Sequence, residues 1–141
     1  MAYLTADPIE LAPLLASVCS PARGGVAVFL GQVRDHHEGR AVKRLDYSAY
    51  GAMAEAECAR IVAEAERRWN AGLALRHRIG SLAIGDVAVA VVAASAHRAD
   101  AFAACRFVIE EVKLRVPIWK REHYADGTVT WVDPTATLQH A

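Results

Sequence analysis

Two long segments with helical spacing, separated by short β-branched runs, constrain this chain most. Met53 to Trp69 is rich in Ala, Glu and Arg and repeats apolar residues at Ala54, Cys58, Ile61, Val62, Ala65 and Trp69. His97 to Arg115 is expected to form a second long helix, with Phe102, Cys105, Ile109, Val112 and Val116 along its buried stripe. Pro117 stops it, because a proline pushes the residue before it out of the helical region. A helix with one apolar stripe must lay that stripe on another element. The candidates are the intervening runs: Val26 to Val33, Val42 to Tyr50, Leu73 to Ile79, Asp86 to Ala94, Ile118 to Tyr124 and Thr128 to Val132, all read as strands.

Smaller signals punctuate these elements. Asp7-Pro8-Ile9-Glu10 reads as a helix start, although Pro13 conflicts with a regular helix there and can itself mark the first turn. Ser20 to Gly25 is a breaker-rich connection, and Gly31 is a candidate bulge. Arg34 to Arg40 reads as a loop, Gly80 to Gly85 as a turn, and Ala125-Asp126-Gly127 as a hairpin turn. The order is roughly β-α-β-β-α-β-β-α-β-β, which predicts an α+β fold with helices packed on a mainly antiparallel sheet. A length of 141 residues fits a single domain, 1–141, with no repeat and no linker.

Composition removes several classes of function. Sixteen basic and sixteen acidic side chains cancel. That argues against bulk nucleic-acid binding, which needs a basic excess. Phe29, Trp119 and Trp131 do not form the aromatic pattern of an RNA-binding sheet. No apolar stretch is long enough to span a bilayer as a helix, and no signal peptide is evident. Cys19, Cys58 and Cys105 lie far apart, outside any CxxC pair, and suit free thiols in a reducing cytoplasm. Cys58 and Cys105 sit on apolar stripes, which is core behaviour. His36-His37, His77, His123 and His140 lack carboxylate or cysteine partners at ligand spacing, so no metal is expected.

Three clusters can carry chemistry. The densest is Lys113-Leu-Arg-Val-Pro-Ile-Trp-Lys-Arg-Glu122. Pro117 forces a reversal that can bring Lys113, from a helix end, and Lys120, from the next strand, to one pocket. Strand alternation puts Lys120 and Glu122 on one face and Trp119 and Arg121 on the other. Two adjacent ammonium groups would lower each other's pKa and form a hole for an oxyanion or phosphate. A basic helix end complementing its dipole, followed by a solvated strand, accounts for the same residues, and residue type alone favours it. The second cluster is Ser95-Ala-His97-Arg98, where Ser95 can cap the helix and His97 and Arg98 can meet an anion. A capped helix with two exposed polar residues is the equal alternative. The third is Gly31-Gln32-Val33-Arg34, where Arg34 leaves a buried strand; alone, it reads as a surface arginine.

Taken together, FLGQVRDHHEGR (Phe29 to Arg40), HRIGSLAIGDVAV (His77 to Val89), SAHR (Ser95 to Arg98), KLRVPIWKRE (Lys113 to Glu122) and WVD (Trp131 to Asp133) resemble the large, catalytic subunits of molybdopterin synthase. The similarity runs from about Gly25 to Asp133. It implies an α/β hammerhead-like core with a small β-subdomain. It also implies transfer of sulfur from the C-terminal Gly-Gly thiocarboxylate of a small ubiquitin-like subunit to cyclic pyranopterin monophosphate, forming the molybdopterin dithiolene. The expected assembly is a homodimer of large subunits within a heterotetramer, with no cofactor for the transfer itself. Carried over by position, Lys113 and Lys120 are the catalytic lysines. Gln32, Val33, Arg34, His97, Arg98, Arg121 and Glu122 join them as substrate-binding residues. Gln32 stands where such proteins often carry Lys, and Pro134-Thr135 where they often place a basic residue. A binding module that holds a phosphorylated metabolite without turnover would present the same pocket.

Overall fold

The computed structural model describes residues 2–132. Asp133, Pro134, Thr135 and His140 therefore lie outside the described residues. In chain order the elements are β1 (Leu4–Thr5), α1 (Leu11–Val18), β2 (Gly25–Gln32), β3 (His36–His37), β4 (Arg40–Ala49) and α2 (Gly51–Trp69). They continue with β5 (Gly72–Arg78), β6 (Gly80–Ala83), β7 (Val87–Ser95), α3 (Arg98–Arg115), β8 (Ile118–Tyr124) and β9 (Val129–Val132). No described helix is long and apolar enough to cross a membrane.

The first sheet has the order β1-β5-β7-β2. Only the β1–β5 pair is parallel. β7 (VAVAVVAAS) is buried along nearly its whole length, because both of its faces are covered. On one face, Leu73, Leu75, Val89 and Val91 meet Cys58 and Ile61 of α2 and Cys105, Val108 and Val112 of α3. On the other, Ala74, Ala90, Val92 and Ala94 meet Leu14 and Val18 of α1. The alanines of β7 keep α1 close to the sheet, which is one use for the chain's high alanine content.

A second sheet, ordered β3-β4-β8-β9 with β6 also on β4, forms the added β-subdomain. Val33, Val42, Leu45, Leu82, Ala88 and Tyr124 make its core. The α+β expectation holds, with helices on a mainly antiparallel sheet beside a smaller β unit.

Several local expectations are corrected. α1 begins at Leu11, not at Asp7, and Pro13 lies in its first turn, where a missing N–H leaves no intrahelical bond unmade. The segment Arg34 to Arg40 is not a plain loop: His36 and His37 pair with Ala41 and Arg40 across a turn in which Glu38 and Gly39 take positive φ. Gly80 to Gly85 is not only a turn, since Gly80 to Ala83 pair with Tyr47 to Arg44. Phe102 is 65% exposed and lies off the buried stripe of α3, which runs instead through Ala101, Ala104, Cys105, Val108, Ile109 and Val112. Ser95 does not cap α3. It closes β7, buried, with its hydroxyl donating to the carbonyls of Trp69 and Asn70 at the end of α2; the N-cap is His97.

Candidate active site

The C-terminus of α3 and the start of β8 frame the site. Val116 caps α3 in an extended conformation, and the chain reverses through Pro117 into β8. Arg115 ties this corner to α2, donating to Glu57 at 2.6 Å and to Glu64 at 2.8 Å. Across the reversal, Lys113 and Lys120 both line one cavity of about 340 Å³. Gly31, Gln32, Arg34 and His36 enter it from β2 and the chain beyond, Tyr47 from β4, and His77 from β5. Val112, Val116 and Ile118 supply apolar wall. A Cβ on Gly31 would stand 2.7 Å from Val89 Cγ1, so the absence of a side chain there lets β2 run against β7 beside the cavity. The register shift between Gly31 and Gln32 is the bulge that the sequence suggested.

The electrostatics are those of a cationic hole. Burial is the first cause that lowers the pKa of Lys113, followed by the charges of Lys120 and Arg34. Burial also lowers Lys120; Glu122 opposes this by raising it, and Arg34 adds to the lowering. The repulsion anticipated from the sequence is therefore secondary to desolvation, and it is not mutual: Lys120 lowers Lys113, whereas the cation that lowers Lys120 is Arg34. Lys113 is exposed, whereas the Lys120 side chain is 19% exposed.

Glu122 lies under Lys120 and is almost fully buried, with Oε1 4.0 Å from Lys120 Nζ. The Tyr124 hydroxyl donates to its Oε2 at 3.0 Å. His37 Nδ1 is 2.8 Å from Oε1, but off the line a hydrogen bond needs, so Oε1 has no hydrogen-bond partner among the described residues. A carboxylate held there favours the ammonium form of Lys120. Tyr47, pushed up to about 12 by burial and by Glu122, stays a neutral phenol.

The structure sorts the expected site residues into two sets. Lys113, Lys120, Gln32, Arg34 and Glu122 converge on the cavity. Val33 does not: it is buried in the core of the second sheet, and its backbone N–H and carbonyl bond to Asp86 and Gly85. Arg121 points to the opposite face of β8, as alternation requires, pairing with Asp46 at 2.9 Å and covering Trp131. His97 and Arg98 are exposed at the start of α3. At 1.5 Å per residue they stand roughly 22 Å from Lys113, beyond the reach of this cavity within one chain. Sequence reasoning did not assign His77 and Tyr47 to the site. His77 carried a signal, as the first residue of the HRIG motif, but a lone histidine in a strand does not announce which way it faces. Among the described residues no group of three or more His, Cys, Asp or Glu could hold a metal ion.

Comparison with known proteins shows the family. A family model described as MoaE protein matches residues 4–115. The molybdopterin synthase catalytic subunit of Halalkalibacterium halodurans is 43% identical over 127 residues, covering 89% of this chain and 81% of that protein. That of Pyrococcus abyssi is 45% identical over 128 residues, covering 90% and 86%. The crystal structure of molybdopterin synthase from Staphylococcus aureus matches with a TM-score of 0.88 at 36% identity, over 93% of this chain and 96% of that one. The chain belongs to the MoaE protein family, the catalytic subunits of molybdopterin synthase.

Proposed function

We propose that the cavity between α3 and β8 is where this catalytic subunit transfers sulfur from the C-terminal thiocarboxylate of a small ubiquitin-like subunit to cyclic pyranopterin monophosphate. The observation that carries the reading is the convergence of Lys113 and Lys120, from either side of Pro117, with Arg34 in one partly desolvated cavity. Both reactants are anions. A cavity walled by three cations, two of them lysines shifted by desolvation, concentrates them and strengthens each contact. Lys113, at the mouth, meets the thiocarboxylate or the reacting pterin carbon as the tail enters. Lys120, deeper and backed by Glu122, stabilises the oxygen on which charge develops and supplies a proton as that oxygen leaves. Arg34 holds the phosphate in a fork.

The assembly proposed is a homodimer of large subunits with a small subunit at each end. β2 is the edge strand of its sheet, and it exposes Val26, Val28, Phe29 and Leu30. An apolar edge of this kind is a template for strand pairing. A two-fold pairing of β2 with itself sets Gly25 of one copy opposite Gln32 of the other. Gly25 lies against the backbone of His97 and Arg98, where an added Cβ would come within 2.8 Å of Arg98 N. The pairing thus carries His97 and Arg98 to the neighbouring copy's Gln32–Arg34 corner, where they complete the anion site. That arrangement gives a role to two residues that cannot serve their own chain's cavity.

The test is single turnover with thiocarboxylated small subunit and the cyclic monophosphate. Lys120→Ala should leave a folded protein whose dithiolene formation falls by at least about 100-fold, the scale of losing an oxyanion donor. Near-normal turnover would refute the assignment. A binding module without chemistry would release no dithiolene even from the unmodified chain.

A further inference from the structure

His77 is a buried, pocket-lining histidine to which the reaction above assigns nothing. It is 8% exposed and borders the cavity. Its place is fixed on every side. The backbone N–H donates to the Tyr3 carbonyl at 2.8 Å, and the residue pairs with Leu4 on β1 and Val89 on β7. The ring packs edge-on against Tyr47, with centroids 5.1 Å apart.

The tautomer is fixed as well. Nδ1 lies 2.8 Å from the Arg78 carbonyl. A carbonyl only accepts, so Nδ1 carries the hydrogen, and Nε2 of the neutral ring offers a lone pair. Nε2 has no hydrogen-bond partner among the described residues. Nor is it among the sealed, unpaired polar atoms, which are Arg78 Nε, Arg121 Nε and Glu122 Oε1. It therefore keeps some accessible surface, on a residue that lines the cavity. Burial, with the charge of Lys113 adding to it, brings the ring down to about 4 despite the bond to Arg78. The imidazole is therefore uncharged throughout the neutral range, and it is too weak a base to take a proton from either lysine.

The result is a rigid, neutral acceptor beside three cations, Lys113, Lys120 and Arg34, that only donate; the lining carboxylate, Glu122, has one oxygen bonded to Tyr124 and the other sealed from solvent. Anionic parts of a ligand belong to those donors. An N–H belongs to His77. We propose that His77 is a specificity-determining residue, whose Nε2 accepts a hydrogen bond from a ring N–H of the reduced pterin while Arg34 holds the phosphate and the lysines face the reacting atoms. This rests on the proposed function, because it takes the pterin as the cavity's ligand. A flat, N–H-bearing heterocycle linked to a phosphate suits an acceptor and a cation cluster that share one cavity, and a bare anion has no use for the acceptor.

The experiment compares binding of cyclic pyranopterin monophosphate and of inorganic phosphate to the whole protein, for wild type and His77→Phe. Phenylalanine keeps the ring, the burial and the edge contact with Tyr47 and deletes the acceptor. The variant should bind the pterin at least about tenfold more weakly, as expected when a buried hydrogen bond to ligand is lost. It should bind phosphate within twofold of wild type, and its KM for the pterin should rise more than its kcat falls. In parallel, the ¹⁵N resonance of wild-type Nε2 should be that of an unprotonated ring nitrogen near neutral pH. It should move on saturation with the pterin and not with phosphate. That measurement needs no variant, so a poorly folded His77→Phe does not block the test. Pterin binding within twofold of wild type, or an Nε2 resonance that ignores the pterin, overturns the inference and leaves the proposed function standing. Failure of the wild type itself to bind the pterin overturns both.

Discussion

Acidification should destabilise this protein through one buried ring, and the size of the effect follows from the structure. His77 titrates at about 4 in the folded chain, against 6.5 when exposed, with burial as the leading cause. Its folded pKa lies below its unfolded one, so between those values the unfolded chain binds a proton that the folded chain refuses. Stability is therefore full above about pH 6.5 and is lost as pH falls toward 4. At about 1.4 kcal/mol per pH unit, the whole gap amounts to about 3 kcal/mol, of which about 2 kcal/mol is gone by pH 5. Carboxylates held low also lose stability in acid; Asp46 is one, kept at about 2 against its own burial by bonds from Arg121 and His123. Their contribution is common to wild type and to His77→Phe, so the difference between the two isolates the ring. The assay is urea unfolding at fixed protomer concentration from pH 7 to pH 4 for both proteins, since association would otherwise shift the midpoints. The wild type should lose about 3 kcal/mol relative to the variant across that range, whatever constant offset the substitution introduces. A difference that stays flat with pH would show that the folded ring takes up a proton freely. The neutral acceptor described above would then fall with it.

Other substitutions probe the remaining links. Glu122→Gln removes the charge that raises Lys120, so Lys120 should lose its proton at lower pH and the alkaline limb of the kcat profile should move down; an unmoved limb refutes the backing role. Val28→Lys puts a charge on the exposed face of the β2 edge; sedimentation should show a folded monomer with little activity, and an intact dimer would refute pairing through β2. Gly31→Ala forces a Cβ toward buried Val89 and should cost about 1–3 kcal/mol of stability, measured by denaturant midpoint; no loss would mean that β2 has room to yield.

Periodicity and breaker residues were enough to read the long elements. The stripe of Ala54, Cys58, Ile61, Val62 and Ala65 identified α2, because an apolar repeat near 3.6 residues places those side chains on one side of a helix and scatters them over both faces of a strand. The continuous apolar run of β7 and the stop at Pro117 were equally legible. Errors came where a partner, not the residue itself, decides. Phe102 fits the spacing of α3 as well as its neighbours do, but only packing shows that none of the described elements covers it. Ser95 has the right chemistry for a cap, yet the end of α2 claims its hydroxyl. β3 and β6 are too short to carry a pattern and exist because β4 offers them a ladder.

The same division runs through the site. The one-dimensional order of the residues determined that Lys113 and Lys120 flank a reversal, that Lys120 and Glu122 share a face, and that Arg121 opposes them, since alternation and proline geometry are local rules. Tertiary structure alone decided that Arg34, Tyr47 and His77, from three other segments, line one cavity with those lysines, and that His97 and Arg98 of the same chain do not. It also decided that burial, more than repulsion, sets the lysines' acidity. Desolvation depends on everything packed around an atom, and that is a property of the closed fold, absent from any stretch of chain read by itself.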